Sequence, residues 1–296
     1  MWLKIDNARL KLKGTKFMIH KAGFFSMLIC CSFLLSGSTS AASKTPLKSV
    51  TNYKIYYGPS NQEIVEQLGT YDLVIIEPHE FTREQVEEIN KQGTITLGYM
   101  SIMELEKWNE DFVKKVKTTD YYYSKKKKVY IQKWDTYLMD ISNKHYQGIL
   151  LEEIQMEILE KGFEGIFLDT AGDIDDFFLK KPKELEKLRK GYIQLLKEIH
   201  SENKSLLLVQ NWGFETYKAA SKSYVDGVLW ENFDKKRLQK DDWSQKWIKY
   251  FKNADSKGNL SVFTVAPNST GKKYSESHGF TSYINKNSIY NHWNIE

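Results

Sequence analysis

The chain has 296 residues, 41% of them hydrophobic, and a formal net charge of +5. The charge belongs to the N-terminal segment, because residues 1–43 hold six basic residues and one acidic residue and the remainder is near neutral. A near-neutral remainder gives no electrostatic reason to expect a nucleic-acid partner. Both cysteines, Cys30 and Cys31, lie in the same N-terminal segment, so the rest of the chain has neither a disulfide nor a catalytic thiol.

The N-terminal segment has the layout of a secretory signal peptide. Residues 22–35 form an apolar run as long as a signal-peptide core and too short to span a bilayer comfortably. A histidine and a lysine precede the run, and small residues follow it as far as Ser43. We predict that residues 1–43 are a cleaved signal peptide, with Met18 as an alternative start and residues 1–17 as an extension. The expected product is secreted, has no stable membrane insertion and is free or associated with the cell wall.

The remainder of the sequence is predicted to be one α/β domain, a (β/α)8 TIM barrel. Residues 44–50 are expected to be a short tether, and residues 51–296 have the usual size of such a barrel, about 250 residues. Apolar runs alternate with helical patterns, which predicts successive βα units. The predicted strands, in chain order, are residues 53–57, 73–76, 95–100, 137–139, 166–168, 206–209, 225–230 and 260–265. The residues after the last of them suit a terminal helix and tail. An open doubly wound sheet is the alternative.

Two of the predicted helices have clear local signals. Thr82 and Gln85 have the spacing of a capping box, in which each side chain bonds the backbone N–H of the other end of the first turn. Residues 185–199 carry apolar side chains at a spacing of three and four, which places them on one face of a helix. Both signals fall between predicted strands, as the barrel requires.

Carboxylates follow four of the predicted strands, namely Glu77, Asp140, Asp169 and Glu231. Two further strand ends carry polar or aromatic side chains, namely Tyr99, Asn211 and Trp212. All strands of a barrel point the same way, so these side chains are expected at one face of the molecule. The alternative for Asp169, which ends the apolar run Ile166-Phe167-Leu168, is the N-cap of a helix.

A cleft that is lined by acids and walled by aromatic rings predicts a glycosidase. Its chemistry needs one carboxylic acid to protonate the leaving oxygen and one carboxylate to attack or stabilise the sugar cation. Aromatic rings supply flat surfaces for sugar faces. No predicted strand is followed by a glycine-rich phosphate loop, and no cluster of histidine, cysteine and acid has metal-ligand spacing. We therefore expect neither a cofactor nor a metal ion.

One basic cluster lies outside the N-terminal segment. Lys125–Lys128 follow three tyrosines, Tyr121–Tyr123. A run of lysines is most simply a solvated loop tip. The alternative is a surface contact to an anionic cell wall.

Six segments carry a family resemblance, namely Tyr71–Glu77, Gly98–Ser101, Asp140–Ser142, Gly162–Asp169, Asn211–Glu215 and Glu231–Phe233. Together they resemble glycoside hydrolase family 114, the endo-α-1,4-polygalactosaminidase-like barrels, from about Asn52 to the C-terminal segment. The Gly-Phe-x-Gly-x-x-x-Asp block and Glu231 are the most specific motifs. Family members commonly carry Asn or Asp after the Leu-Asp pair, where this chain has Thr170 and, later, Asp173. This departure affects the details expected of the substrate and leaves the expected catalysis unchanged.

The resemblance implies a retaining endo-glycosidase that cuts α-1,4-linked galactosamine polysaccharide. By match, Asp169 and Glu231 are the catalytic pair, with Asp169 as nucleophile and Glu231 as acid/base, an order that stays open. The expected substrate-binding residues are Glu77, Tyr99, Asp140, Asn211 and Trp212. Two alternatives remain, a non-catalytic carbohydrate-binding barrel at the cell surface and a glycosidase of other linkage specificity. Nothing in the sequence indicates an oligomeric state.

Overall fold

The computed structural model describes residues 45–258, 260–287 and 289–293, so the predicted signal peptide lies outside the described residues. The strands in the described part are β1 (Tyr53–Tyr56), β2 (Leu73–Ile76), β3 (Ile95–Ser101), β4 (Glu104–Glu106), β5 (Tyr123–Ser124), β6 (Lys127–Lys128), β7 (Tyr130–Ile131), β8 (Thr136–Leu138), β9 (Gly165–Asp169), β10 (Leu207–Asn211), β11 (Gly227–Trp230), β12 (Ser261–Ala266) and β13 (Thr281–Ile284). The α-helices are α1 (Gln62–Leu68), α2 (Arg83–Lys91), α3 (Glu110–Lys115), α4 (Lys144–Glu153), α5 (Asp173–Phe178), α6 (Pro182–Glu202), α7 (Phe214–Ala219), α8 (Lys235–Leu238), α9 (Asp242–Ser256) and α10 (Ser269–Glu276).

Eight strands form one parallel sheet, in the order β1-β2-β3-β9-β10-β11-β12-β13. The two edge strands approach each other, because the ring of Tyr53 on β1 packs against Phe263 on β12 and Tyr283 on β13. The amide of Tyr57, just after β1, donates to the carbonyl of Tyr290 at 2.7 Å, so the C-terminal segment spans the remaining gap. The sheet is a nearly closed barrel with helices outside it, and the (β/α)8 prediction is confirmed.

The barrel strands are buried on both faces, with a different core on each. On β2, Leu73 and Ile75 belong to the cluster inside the barrel, whereas Val74 and Ile76 belong to the cluster under the helices. This follows from the two-residue period of a strand. Leu47 and Val50 are buried with the inner cluster, so the segment that the sequence suggests is a tether packs against the barrel instead.

The helical layer follows the sequence signals. Helix α2 begins at the Thr82–Gln85 capping box, with both of its reciprocal hydrogen bonds present. Helix α6 buries Leu188, Tyr192 and Leu195 against the sheet. None of the helices in the described part of the chain combines the length and apolar character needed to cross a membrane.

Two strand predictions are wrong. Residues 137–139 do not contribute the fourth barrel strand: β8 is the centre of a small antiparallel sheet of order β4-β8-β7, and β9 pairs directly with β3. The eighth barrel strand is β13, in residues expected to form a helix and tail. Its sequence, Thr-Ser-Tyr-Ile, has no apolar run. The first error arises because a short apolar run indicates a strand but does not identify its partners, and the second arises because β13 lacks the apolar run by which a strand is recognised.

The connection from β3 to β9 builds a structure over one side of the barrel mouth. Strand β4 follows β3 after two residues, and Ser101 Oγ donates to the carbonyl of Glu104 at 2.9 Å. The amide of Met139 donates to the carbonyl of Met103 at 2.8 Å, which ties the end of β8 to the same corner. The small sheet therefore presents the side chains of β4 to the ends of β3 and β9.

Candidate active site

A cavity of about 690 Å³ lies at the C-terminal ends of the barrel strands. Its walls combine barrel residues, the small sheet and the C-terminal segment. Its acidic lining residues are Glu104, Glu106, Asp169, Asp173, Asp176 and Glu231, and its large aromatic ones are Tyr57, Tyr99, Trp134, Phe167, Trp212 and Tyr290. Among the described lining residues, Lys133 is the one lysine or arginine. This end of the barrel is where enzymes of this fold place their active sites.

Asp169 ends β9 and lies at the centre of a set of donors. Asn211 Nδ2 donates to its Oδ1 at 2.7 Å. Burial raises the pKa of Asp169, while hydrogen bonds from Asn211, the Thr170 amide and the Tyr99 hydroxyl oppose that rise. The helix-cap alternative is wrong, because α5 begins at Asp173 with Gly172 in the N-cap position. The carboxylate is thus held in place, in the cavity, by side chains from two neighbouring strands.

Glu231 follows β11 and has a different environment. The hydroxyl of Tyr290 donates to its Oε1 at 3.0 Å. Burial and the charge of Asp169 raise the pKa of Glu231 to about 7, against the lowering effects of Tyr290 and Lys133. A carboxyl group that titrates near neutrality can give up a proton in one step and take one in the next.

Three neighbouring strand ends share an unusual backbone. A left-handed φ occurs at the residue after each strand-end side chain, with values of 60°, 53° and 54° at Thr170, Trp212 and Asn232. This conformation is uncommon outside glycine and is strained for a β-branched residue. At Thr170 it is held in place because Oγ1 accepts the amides of Ile102 and Met103 at 3.1 and 2.8 Å. Such strain is typical of functional sites.

Two of the predicted site residues do not line this cavity. Asp140 lies two residues after β8, which is not a barrel strand, and its carboxylate is directed elsewhere: it accepts from Lys187 Nζ at 2.6 Å and from the Ser142 amide at 3.1 Å. Glu77 does end barrel strand β2, but its Oε1 accepts from His79 Nδ1 at 2.7 Å in a small adjoining hollow. The expectation that four acids meet in one cleft is therefore correct for Asp169 and Glu231 alone.

His79 makes that adjoining hollow a charged network. Its Nε2 lies 2.9 Å from Glu153 Oε1, so the imidazole bridges Glu77 and Glu153. Burial opposes its charge, but the hydrogen bonds to Glu153 and Glu77 raise the pKa of His79 to about 10. The ring is an imidazolium at neutral pH, and it holds Glu77 away from the main cavity.

Four cavity acids are absent from the sequence-based set. Glu104 and Glu106 lie on β4, and Asp173 and Asp176 lie on α5. The Thr136 hydroxyl donates a hydrogen bond to Glu104. Burial and the charge of Glu104 raise the pKa of Asp173, and burial and the charges of Glu77 and Asp169 raise the pKa of Glu106 to about 8. The only sequence signal was the alternation Glu-Leu-Glu directly after β3, which puts two acids on one face of a strand.

The arrangement is that of a site for acid and nucleophile chemistry on a sugar. Asp169 and Glu231 come from strands separated by β10, whose Asn211 holds one of them. Tyr99, Asn211 and Trp212 line the cavity as expected. Within the described residues, no group of three histidine, cysteine or acidic side chains is arranged to hold a metal ion.

Comparisons with known proteins agree with this arrangement. The domain model of glycoside-hydrolase family GH114 matches residues 36–288. The glycoside hydrolase domain of PelA from Pseudomonas aeruginosa is similar in structure, with a TM-score of 0.61, 16% identity and coverage of 79% of this chain and 94% of that chain. Ega3 from Aspergillus fumigatus, in a complex with galactosamine, has a TM-score of 0.62, 16% identity and coverage of 81% and 93%.

At these identities the two structures bear on the fold alone, and no curated protein matches the sequence. The family match is the stronger finding, because it spans nearly all of the barrel and includes both cavity carboxylates, Asp169 and Glu231. It also agrees with the chemistry that those two groups can perform. The chain therefore belongs to glycoside-hydrolase family GH114 and is a glycoside hydrolase.

Proposed function

We propose that this chain is a secreted endo-glycosidase that hydrolyses α-1,4-linked galactosamine polymers with retention of configuration at the anomeric carbon. The observation that carries the proposal is the contrast between Asp169 and Glu231. Asn211 donates to Asp169 at 2.7 Å and opposes the rise that burial causes in the Asp169 pKa, whereas burial and the charge of Asp169 raise the pKa of Glu231 to about 7. Two carboxyls in one cavity with different proton affinities can take the two roles that retaining hydrolysis needs.

In the first step Asp169 attacks the anomeric carbon and Glu231 gives its proton to the glycosidic oxygen. The bond between that oxygen and the anomeric carbon breaks, the leaving chain departs as an alcohol, and the sugar is held as an ester of Asp169. Ester formation removes the negative charge of Asp169, which is one of the two causes that raise the pKa of Glu231. Glu231 therefore becomes a better-ionised base at the moment when a base is required.

In the second step Glu231 takes a proton from water while the water oxygen attacks the anomeric carbon. The ester bond breaks, Asp169 leaves as a carboxylate, and the sugar is released with its original configuration. The hydrogen bond from Tyr290 orients Glu231 through both steps. Asn211 and the Thr170 amide keep Asp169 in the attacking position.

The charge of the cavity supports a cationic substrate. Six acidic side chains line it, against one lysine or arginine among the described lining residues, Lys133. A galactosamine unit without its acetyl group carries an ammonium, which pairs with carboxylates by charge-assisted hydrogen bonds. The structural neighbour Ega3 was solved with galactosamine, which supports the same sugar here. Glu104 and Asp176 line the cavity and can provide that pairing, whereas Asp140 and Glu77 do not line it.

The test is product analysis with a panel of galactosamine, N-acetylgalactosamine, glucosamine and mixed polysaccharides. We expect wild-type protein to shorten galactosamine polymers to oligosaccharides, and Asp169→Asn and Glu231→Gln to lose at least about a thousandfold of that activity. Asp140→Asn is the matched control, because its carboxylate lies outside the cavity. NMR of the first products gives the anomeric configuration. Unchanged hydrolysis by both cavity variants would refute the assignment of the catalytic pair.

Two alternatives have their own outcomes. Binding to polysaccharide by the wild type and both variants, with no hydrolysis by any of them, would identify a carbohydrate-binding barrel. Cleavage confined to another polymer of the panel would identify a glycosidase of other specificity on the same fold. Secretion is tested by comparing the extracellular and cellular fractions for the full chain and for a chain without residues 1–43.

A further inference from the structure

The loop between β7 and β8 carries a tryptophan into the wall of the active-site cavity. The loop consists of residues 132–135, at one end of the small antiparallel sheet. Trp134 and its neighbour Lys133 both line the cavity that contains Asp169 and Glu231. Trp134 is 55% exposed, so its ring offers open apolar surface inside a cavity whose other walls are rich in charge.

The shape of this loop is fixed by bonds within the small sheet. The amide of Trp134 donates to the carbonyl of Ile131 at 3.2 Å, which closes a turn of the kind common in four-residue hairpin loops. Asp135 ends the loop with a left-handed φ of 56°. Its carboxylate accepts from the hydroxyl of Tyr130 and from the ammonium of Lys107, which holds it in that conformation. The backbone that carries the indole is therefore positioned without a ligand.

Lys133 lies over part of the indole ring. Its Nζ is 4.2 Å from the ring centre of Trp134, which is a cation–π contact. Throughout the described part of the chain, this ammonium has no ion pair and no hydrogen bond. Its charge opposes the rise that burial causes in the pKa of Glu104 and of Glu231, so it lies within electrostatic reach of both. The edge of an acidic cavity therefore carries an ammonium with hydrogen atoms still to donate.

This ammonium divides the cavity by charge. Glu104 and Asp176 attract the ammonium of a galactosamine unit, but a unit that stacks on Trp134 brings its own ammonium close to that of Lys133. Repulsion between two like charges about 4 Å apart lowers affinity about fivefold even at the dielectric constant of water. An N-acetylated unit has no such charge, and its acetamide carbonyl can accept a hydrogen bond from the lysine.

We propose that Lys133 and Trp134 form a subsite for an uncharged, N-acetylated sugar unit, separate from the acidic part of the cavity that takes an ammonium-bearing unit. The sugar ring lies on the open surface of the indole, and the acetamide carbonyl accepts from Lys133. Lys133 is thus a specificity-determining residue. The identity of the polymer rests on the function proposed above, whereas the preference of this subsite for an uncharged sugar does not. Neither the family match nor the sequence motifs assign a role to either residue.

The test compares kcat/KM on a fully deacetylated galactosamine polymer with kcat/KM on the same polymer after random re-N-acetylation. In Lys133→Gln we expect the first value to rise about fivefold relative to the second, because glutamine keeps a donor for the acetamide and loses the charge. Lys133→Glu replaces repulsion with attraction and should move the ratio about fivefold further. A change in the pKa of Glu231 acts on both substrates and cancels in the ratio.

Two controls separate specificity from a structural role. Lys128→Gln removes the same charge from a lysine that also lies over an aromatic ring, that of Tyr121 at 3.3 Å, but that does not line the cavity, so the ratio should not change. The effect of Lys133→Gln should shrink at about 1 M salt, where charges are screened over about 3 Å. An effect that is independent of salt would overturn the electrostatic part of the proposal.

Trp134→Ala tests the stacking surface. The change removes an exposed side chain and should raise KM on the re-N-acetylated polymer about tenfold with little change in kcat, because it removes binding that the ground state and the transition state share. An unchanged KM would overturn the role of the indole.

The products give the position of the subsite. Sequencing of the wild-type products by mass spectrometry should show N-acetylated units enriched at one fixed position from the new chain ends, and Lys133→Gln should weaken that enrichment. A random distribution around the cut in the wild type, or an unchanged ratio in both Lys133 variants, would overturn the proposal.

Calorimetric titration with short oligosaccharides tests the subsite without hydrolysis. Binding of an N-acetylgalactosamine oligosaccharide should weaken in Trp134→Ala, and binding of a galactosamine oligosaccharide should strengthen in Lys133→Gln. Equal binding by wild type and both variants would overturn the proposal. If the wild type cleaved neither polymer, the proposed function would fail, and the titration would still decide whether this subsite prefers an uncharged sugar.

Discussion

Removing the Tyr290 hydroxyl is expected to move the alkaline limb of the pH–activity profile to higher pH. The hydroxyl donates to Glu231 at 3.0 Å and lowers its pKa, because the bond is stronger to the charged carboxylate. The Tyr290→Phe ring can still pack against Tyr57, with the ring centres 5.4 Å apart in the wild type. A hydrogen bond to a charged group contributes about 1.5–3 kcal/mol, and 1.36 kcal/mol corresponds to one pKa unit.

The expected shift is therefore at least about one unit, which takes the pKa of Glu231 from about 7 in the wild type to about 8 in the variant. The sign follows from the proposed role of Glu231 as the acid of the first step, because the protonated form is the active one and is lost as pH rises through its pKa. Loss of orientation is expected to lower the maximum of kcat/KM by about tenfold in addition.

The assay is the release of reducing ends from the cleaved polymer between pH 5 and pH 9.5, analysed as kcat/KM. Tyr130→Phe is the control, because its hydroxyl bonds the exposed Asp135 outside the cavity and its removal should leave the limb in place. A limb that stays near pH 7 in Tyr290→Phe, or moves to lower pH, would show that Glu231 is not the titrating acid.

Three further predictions concern other contacts of the site. Asn211→Ala removes the 2.7 Å bond to Asp169 and should lower kcat by about ten- to a hundredfold, measured on the same polymer; unchanged kcat would contradict the role of that bond. Thr170→Val leaves the Met103 amide without its hydroxyl acceptor, while the Ile102 amide still donates to the Asp169 carbonyl at 3.2 Å, and should cost about 1–3 kcal/mol in urea unfolding; no loss would show that water replaces the hydroxyl. His79→Gln should destabilise the protein below about pH 6.5, with the difference vanishing as pH rises through about 10, because the folded-state pKa of His79 is raised; a difference independent of pH would refute the imidazolium bridge.

The barrel strands and the pair Asp169 and Glu231 were predictable because they depend on short stretches of sequence. Each strand that ends in Asp169, Asn211 or Glu231 is a short apolar run, and parallel strands bring their ends together whatever the loops do. The same reasoning failed for Asp140, which follows a strand of another sheet. Strand direction and partner are properties of the whole fold, and four apolar or aromatic residues in a row do not encode them.

The acids of β4 and α5 escaped prediction for a different reason. Glu104 reaches the cavity because an inserted sheet folds back over the barrel mouth, a placement fixed by contacts such as that of Thr170 with the amides of Ile102 and Met103, whereas Asp173 reaches it from the start of α5, just after β9. These contacts join residues about 70 positions apart. Glu106 could not be recognised for the same reason, since it too lies on β4.

Residues 289–291 form part of the wall of the active-site cavity, and this has a consequence for folding. These residues follow β13, and one of them, Tyr290, donates the one hydrogen bond recorded to the Glu231 side chain within the part of the chain that the structure describes. The Asp169–Asn211 hydrogen bond joins β9 to β10 and needs no residue beyond them, whereas Glu231, the proposed general acid, needs Tyr290 for its own hydrogen bond. We therefore expect that activity during refolding returns only when residues 289–291 have docked, after the burial of the core tryptophans.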